Sequence, residues 1–195
     1  MSKSWFDPRV PSADLCVLRP LLDRHAVATP DKVFARFADG TEWTYKQTQS
    51  IARRTAIGLA ALGVAQGDKV LSWLPNGPDA IRIWFGLNYL GAVYVPINLA
   101  YRGGLLAHVV ANSDARLIVA HGDLLGRLAD VDRAALTTAV VLGGDAARAV
   151  PGFTVHPASV LEPADREPPP LAREIAPWDM QTIIYTSARP VHPRV

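Results

Sequence analysis

Hydrophobic positions near the start of the chain change from a helical spacing to a strand spacing. An apolar stripe with helical spacing begins near Leu18 and predicts a helix that ends before Thr29-Pro30, since residues preceding proline disfavour helical backbone. Two short strands are predicted at 33–37 and 41–45, because both stretches are rich in strand formers and an Asp-Gly turn signal lies between them. The chain is therefore predicted to open with a helix and a hairpin.

From Thr44 onward, helices and strands alternate. Thr44 should cap the next helix, because Gln47 stands three residues later and can bond back to the Thr44 amide in a capping box. Four later stretches, separated by helical stripes, have the composition of buried strands: 69–74, 92–95, 116–120 and 138–142. They are apolar along most of their length, which is typical of a parallel sheet covered on both faces. The predicted fold class is α/β, with an open and mostly parallel sheet flanked by helices.

The regular pattern weakens from about residue 143 to residue 178, where proline recurs. This composition predicts a Pro-rich surface excursion with little regular structure. One last strand is predicted at 180–185, because threonine, isoleucine and tyrosine are good strand formers. Four aromatic residues in and around the most apolar stretch are predicted to be core: Trp73, Trp84, Phe85 and Tyr89.

Composition and charge narrow the class of protein. The 195 residues are 49% hydrophobic and 19% charged, which is the balance of a folded globular body. The net charge is +2 and neither sign forms a long run, so no nucleic-acid partner is expected. The most apolar stretch, 81–97, is shorter than the roughly 20 residues of a membrane-spanning helix, so no membrane span is expected. The first residues lack an apolar signal-peptide core, and a cytoplasmic location is the expectation.

The remaining reactive residues form no site pattern that carries a specific chemistry. Cys16 is the only cysteine, which excludes internal disulfides and thiolate metal sites. The histidines are scattered without metal-ligand spacing, so no metal site is predicted. Gly143-Gly144 indicates a turn rather than a dinucleotide-binding fingerprint, which needs G-x-G-x-x-G opening a helix. Residues 101–104 precede a helix and indicate either a loop with a helix cap or an anion contact at the helix N-terminus.

Six short segments occur in a characteristic order along the chain: 28–32, 41–45, 62–70, 74–79, 91–98 and 179–187. The last reads D-M-Q-T-I-I-Y-T-S and is similar to the strand that leads into the phosphate-binding motif T-S-G-[ST]-T-G-x-[PS]-K-G. In sequence and order these segments resemble the AMP-forming acyl-CoA and aryl-CoA synthetases of the adenylate-forming superfamily. The resemblance implies that residues 1–187 are the N-terminal part of the large AMP-binding synthetase/ligase domain.

The resemblance also implies a reaction. Members of this family use ATP and magnesium to convert a carboxylic acid to an acyl-adenylate, and then transfer the acyl group to coenzyme A, as in fatty acid metabolism. Thr186 and Ser187 would be the remnant of the ATP phosphate-binding motif, in which hydroxyls, backbone amides and a lysine surround phosphate oxygens. No catalytic residue and no metal ligand of the family can be carried onto this chain.

The chain alone is therefore expected to be a catalytically inactive fragment that binds none of these cofactors. The alternative is a non-catalytic binding or regulatory fragment that associates with a partner protein. Loss of neighbouring strands would leave apolar surface and a sheet edge in water, so self-association through that surface is a further expectation.

Residues 188–195 depart from the family pattern. Where the motif continues with glycines and a lysine, the chain reads A-R-P-V-H-P-R-V. A family-like loop G-T-T-G-P-S-K-G-V can be written in codons that translate as this octapeptide after one nucleotide is lost from the first glycine codon. We expect 188–195 to be a non-family tail read out of frame, with an unrelated tail as the alternative.

Overall fold

The computed structural model describes residues 9–133, 135–144 and 151–186. Two helices, α1 (Ala13–Cys16) and α2 (Leu18–Ala28), are followed by an antiparallel hairpin of β1 (Val33–Arg36) and β2 (Glu42–Thr44). The later elements are α3 (Tyr45–Ala61), β3 (Lys69–Trp73), α4 (Pro78–Tyr89), β4 (Val93–Pro96), α5 (Gly103–Ser113), β5 (Leu117–Ala120), α6 (Gly122–Leu125), β6 (Thr138–Val141) and β7 (Thr154–Pro157). The predicted opening helix and hairpin are both confirmed.

Strands β3 to β7 form one parallel sheet in the order β4-β3-β5-β6-β7. The predicted open parallel sheet of an α/β fold is therefore confirmed. From β3 the chain first crosses to β4 on one side, and then returns past β3 to β5 on the other side. This reversal makes the carboxyl ends of β3 and β5 a topological switch point, which is where open α/β sheets bind their ligands.

Helices cover both faces of the sheet and bury its strands. On one face, α5 packs against alternate strand residues such as Leu71, Val95 and Ile118. On the other face, α2, α3 and α4 pack against the intervening residues, such as Val70 and Val119. All five of these side chains are at most 1% exposed. Burial on both faces is the physical reason that the strands are apolar along their length.

Helix α3 begins where the capping box predicts. The hydroxyl oxygen of Thr44 accepts a hydrogen bond from the Gln47 amide at 3.3 Å, and the Thr44 amide donates to Gln47 Oε1 at 2.8 Å. The two bonds satisfy backbone amides that a helix start otherwise leaves without intrahelical partners. The helix therefore starts immediately after the hairpin.

Part of the Pro-rich stretch predicted for 143–178 is regular. Strand β7 pairs with β6, and a 3-10 turn over Ala158–Leu161 follows it. The strand forms because β6 offers an open edge and because Phe153 and Val155 pack against the core on the α5 face. Residues 162–178, all of them described, contain no helix or strand, as predicted.

Candidate functional site

The last described segment adds a short parallel pairing to the outer edge of β4. Tyr94 pairs with Thr182 in a single parallel bridge. The Tyr94 amide donates to the Gln181 carbonyl at 3.0 Å, and the Ile183 amide donates to the Tyr94 carbonyl at 3.0 Å. The strand predicted over 180–185 is therefore present as a brief pairing rather than a long ladder.

Thr186 lies at the carboxyl edge of the sheet. The segment runs parallel to β4, so a residue four positions beyond Thr182 stands past the end of that strand. Thr186 is exposed, and a threonine hydroxyl can both donate and accept hydrogen bonds. Ser187 lies outside the described residues. The assignment of Thr186 and Ser187 to phosphate binding stays a prediction.

Two asparagine side chains contact this segment from opposite faces of the sheet. Asn88 on α4 is 2% exposed and donates through Nδ2 to the Gln181 carbonyl at 3.0 Å and to the Ala92 carbonyl at 3.4 Å. Asn112 on α5 donates through Nδ2 to the Tyr185 hydroxyl at 3.0 Å. The segment is thus held near its first and last residues by side chains as well as by backbone bonds.

An ion pair closes the turn that precedes this segment. Arg173 donates to both carboxylate oxygens of Asp179, at 2.6 and 2.8 Å. Hydrogen bonding to Arg173 holds the pKa of the Asp179 carboxyl below its ordinary value. The Gln66 side-chain amide bonds to the backbone of Arg173 at 3.1 and 3.2 Å. These contacts attach the turn to the loop before β3.

One buried group at the start of the segment has no partner within the described part of the chain. Both side-chain amide atoms of Gln181 are buried and make no hydrogen bond. An unpaired buried polar group costs about 1–3 kcal/mol. The backbone carbonyl of the same residue accepts two hydrogen bonds, from the Tyr94 amide and from Asn88 Nδ2.

Trp73 organises the switch point at the carboxyl end of β3. Its side chain is 0% exposed, and its indole nitrogen donates to the Asn98 carbonyl in the loop after β4 at 3.2 Å. Arg127 lies over the indole with its guanidinium carbon 5.6 Å from the ring centroid, and it donates to the Leu99 carbonyl at 2.6 Å. Together they fix the loop that borders the carboxyl edge.

The glycine pair after β6 forms a turn against a histidine ring. Gly143 and Gly144 have φ angles of 68° and 64°, in the left-handed region that favours glycine. A Cβ atom at Gly144 would lie 2.8 Å from Cε1 of His121, which follows β5. Close approach to this ring and the turn geometry explain both glycines, in agreement with the predicted turn.

The structure corrects one prediction about the aromatic residues. Trp73, Phe85 and Tyr89 are buried, as predicted. Trp84, predicted as core, is 39% exposed and stacks on Tyr94 at a centroid distance of 5.9 Å. Helix α4 is apolar on most faces, but its Trp84 side chain lies beside the edge strand β4 and not beneath the sheet.

The two asparagines that hold the last segment were not predicted as site residues from the sequence. Asn88 and Asn112 bond to residues 93 and 73 positions away in sequence. No local spacing marks such contacts. A polar residue in the apolar helix α4 was the only available signal.

Helix α5 begins at Gly103 without a side-chain cap, so residues 101–104 form a loop and a helix start. Within 9–133, 135–144 and 151–186, no group of three or more His, Cys, Asp or Glu side chains could hold a metal ion. No helix in those same ranges is long and apolar enough to cross a membrane. The predicted tail 188–195 lies outside the described residues.

Comparisons with known proteins point to one family. Residues 22–188 match the family described as AMP-binding enzyme. A feruloyl-CoA synthase from an Amycolatopsis species is 30% identical over 171 residues, which are 88% of this chain and 31% of that protein. The medium/long-chain-fatty-acid–CoA ligase FadD6 of Mycobacterium tuberculosis is 35% identical over 100 residues, which are 51% of this chain and 17% of that protein.

A solved structure agrees in fold as well as in sequence. The Mycobacterium tuberculosis fatty acyl CoA synthetase superposes with a TM-score of 0.67 and 25% identity, covering 89% of this chain and 33% of that chain. The chain thus spans about a third, or less, of the length of these three proteins. The family match extends over most of the sequence and reaches the segment beside β4. The chain belongs to the AMP-binding enzyme family, and its resemblance to the AMP-forming acyl-CoA synthetases is confirmed.

Proposed function

We propose that this chain forms the N-terminal part of the large domain of an AMP-forming acid–thiol ligase. The proposal rests on the pairing of the segment from Gln181 to Tyr185 with β4. This pairing extends the sheet, so that Thr186 lies at its carboxyl edge. Ligands of open α/β sheets bind at that edge. The family match and the CoA ligases among the relatives support the same assignment.

The complete enzyme would join a carboxylic acid to coenzyme A in two steps. A carboxylate oxygen attacks the α-phosphorus of ATP, pyrophosphate leaves, and an acyl-adenylate forms. The sulfur of coenzyme A then attacks the acyl carbon, and AMP leaves. Such transfers depend mainly on positioning and on neutralising phosphate oxygen charge.

In the first step, this chain would supply hydroxyl groups at the carboxyl edge of its sheet. The exposed Thr186 hydroxyl, with that of Ser187, would donate hydrogen bonds to phosphate oxygens of ATP. We propose no catalytic role for either residue. The resemblance carries no magnesium ligand onto this chain, and we propose none.

The 195-residue chain by itself is proposed to be inactive. In the family motif, glycines let backbone amides approach the phosphates and a lysine adds positive charge. Residues 188–195 contain no glycine and no lysine. Pro190 and Pro193 also remove backbone N–H donors where the motif needs them.

For residues 188–195 we propose an out-of-frame reading of the same motif. The octapeptide A-R-P-V-H-P-R-V is what one choice of codons for a family-like loop encodes after loss of one nucleotide. This proposal is supported by the fact that all eight residues fit a single shifted reading frame.

Pyrophosphate exchange tests the proposed inactivity. The purified chain is incubated with ATP, magnesium, labelled pyrophosphate and a panel of fatty and aromatic carboxylic acids. We expect label in ATP to stay at the no-protein level for every acid, because the phosphate-binding motif is incomplete. A feruloyl-CoA synthase with ferulate is the positive control. Acid-dependent exchange that rises with the concentration of this chain would contradict inactivity while leaving the family assignment intact.

A further inference from the structure

We infer that the outer edge of the segment 181–185 is a self-association site, at which the same segment of a second copy of this chain pairs in antiparallel orientation. A two-fold axis would relate the two copies, and their two parallel sheets would become one continuous sheet. This association requires no ATP, magnesium or acid. It therefore goes beyond the proposed function and can be tested separately from it.

The segment pairs with β4 on one side only. The Ile183 amide and the Gln181 carbonyl both bond to the backbone of Tyr94. The backbone groups of successive strand residues point to opposite sides, so those of Thr182 and Ile184 point away from β4. Within residues 9–133, 135–144 and 151–186, these outward amides and carbonyls have no hydrogen-bond partner. Such a row of unpaired donors and acceptors is a template for another strand.

The segment lacks the features with which proteins usually protect an edge strand. Natural edges carry lysine or another charge, a proline or a bulge. In sequence, neither a charged residue nor a proline occurs between Asp179 and Arg189. Short stretches that combine strand formers with low charge and no proline tend to pair with copies of themselves, and M-Q-T-I-I-Y-T over 180–186 has this composition. A second copy of the same segment is therefore the partner that this composition favours.

The apolar side chains beside this edge favour the same partner. Ile183 and Tyr185 pack against the core on the α5 face, whereas Ile184 is 70% exposed on the opposite face. On that opposite face Thr182 borders an open groove together with Trp84, which is 39% exposed. With the two-fold axis perpendicular to the sheet, these open faces of the two copies lie on the same side. Pairing would therefore bring the exposed apolar surfaces together and remove part of them from water.

Charge favours the antiparallel orientation over a parallel one. The first charged residue before the segment is the acidic Asp179, and the first after it in sequence is the basic Arg189. Antiparallel pairing brings the N-terminal flank of one copy beside the C-terminal flank of the other, so unlike charges meet at each end, whereas parallel pairing would bring like charges together. The contribution is small, because Asp179 already forms an ion pair with Arg173 and solvent screens such charges.

Sedimentation velocity of the full 195-residue chain tests the inference. The paired segments are short, so we expect a weak dimer with a Kd of about 10–100 µM. The sedimenting mass should rise with concentration from 21.1 kDa to twice that value and no further, because two-fold pairing uses the open edge of both copies.

A lysine at the edge should prevent the pairing. Ile184→Lys should weaken the dimer by about tenfold or more, because it places a charge at the edge and removes little packing from an exposed side chain. Val27→Lys is the matched control, because Val27 is 82% exposed on α2 and does not border the groove. Val27→Lys should form the dimer as the wild type does.

Amide hydrogen exchange identifies the surface that pairs. The outward amides of Thr182 and Ile184 gain partners in the dimer and are free in the monomer. At a concentration of about ten times Kd, about a fifth of the chains remain monomeric, so these two amides should exchange about fivefold slower than in dilute protein. This dependence on concentration should be lost in Ile184→Lys and kept in Val27→Lys.

Several results would overturn the inference. One is a monomer at every concentration, which would leave the edge to another partner. Others are equal dimerisation of Ile184→Lys and Val27→Lys, a mass that rises beyond two copies, and unchanged exchange at Thr182 and Ile184 in a dimer. If Ile184→Lys does not fold, exchange in the wild type alone decides. None of these results depends on the pyrophosphate assay that tests the proposed function.

Discussion

Replacing Gly58 with alanine is expected to lower the free energy of unfolding by about 3 kcal/mol, the upper end of the usual cost of overpacking. Gly58 lies in α3, where the turn over Ala158–Leu161 passes directly against the helix. A Cβ atom at this position would lie 2.2 Å from the Val160 carbonyl oxygen and 2.8 Å from the Leu161 Cα. Both are backbone atoms, so no side chain can rotate away to make room.

The opposing segment cannot retreat without losing other contacts. Leu161 is 0% exposed in the core beneath it. Arg82 donates to the Leu161 carbonyl at 3.1 Å. Arg54 donates to the carbonyls of Glu162 and Pro163 at 3.2 and 2.8 Å. Moving the segment to admit a methyl group would strain or break these bonds, which is why we expect a large effect.

Urea unfolding followed by circular dichroism measures the effect of Gly58→Ala, with Gly104→Ala as the control. Gly104 is also in a helix, and a Cβ there would meet nothing within 4 Å. The control should match the wild type or gain up to about 1 kcal/mol from alanine's higher helix propensity. Equal stabilities for the two variants would contradict the close packing described for α3.

Replacing Trp73 with alanine is expected to destabilise the chain by about 3–5 kcal/mol, as for other large buried aromatic residues. Trp73 is completely buried and joins β3 to the loop after β4. Trp73→Phe should cost less, roughly 1–3 kcal/mol, because it keeps much of the apolar contact but leaves the Asn98 carbonyl without its donor. Both variants should also loosen the loop at the carboxyl edge.

Trp84→Ala is the matched control for the effect of Trp73→Ala. Trp84 is 39% exposed, so its removal should cost only about 1–2 kcal/mol. Urea unfolding of the three variants gives the comparison, and exchange of the loop amides at 98–101 reports on the edge. A cost for Trp73→Ala no larger than that for Trp84→Ala would contradict the role of Trp73 at the switch point.

Features of the fold that depend on neighbouring residues could be predicted from sequence. The capping box needs only Thr44 and Gln47, three positions apart, and the structure contains both of its hydrogen bonds. The parallel sheet followed from strands that are apolar throughout, because burial on both faces selects such strands. The order of the strands did not follow, since local patterns do not say where a chain crosses back past β3.

Contacts between distant residues could not be predicted in the same way. The pairing of β7 with β6 depends on an open edge that exists only in the assembled sheet. The exposure of Trp84 depends on its position beside the edge strand β4. The same contrast between local patterns and long-range contacts applies to the candidate site. Resemblance pointed to Thr186 and Ser187, but the asparagines that hold the preceding segment appear only in three dimensions.

The nucleotide sequence that follows the codon for Ser187 shows whether the segment beside β4 leads into the phosphate-binding motif of an AMP-forming ligase. We expect one of the three reading frames to encode the glycines and lysine of that motif and to continue as a synthetase. If no frame does so, the assignment of Thr186 and Ser187 to the motif is contradicted.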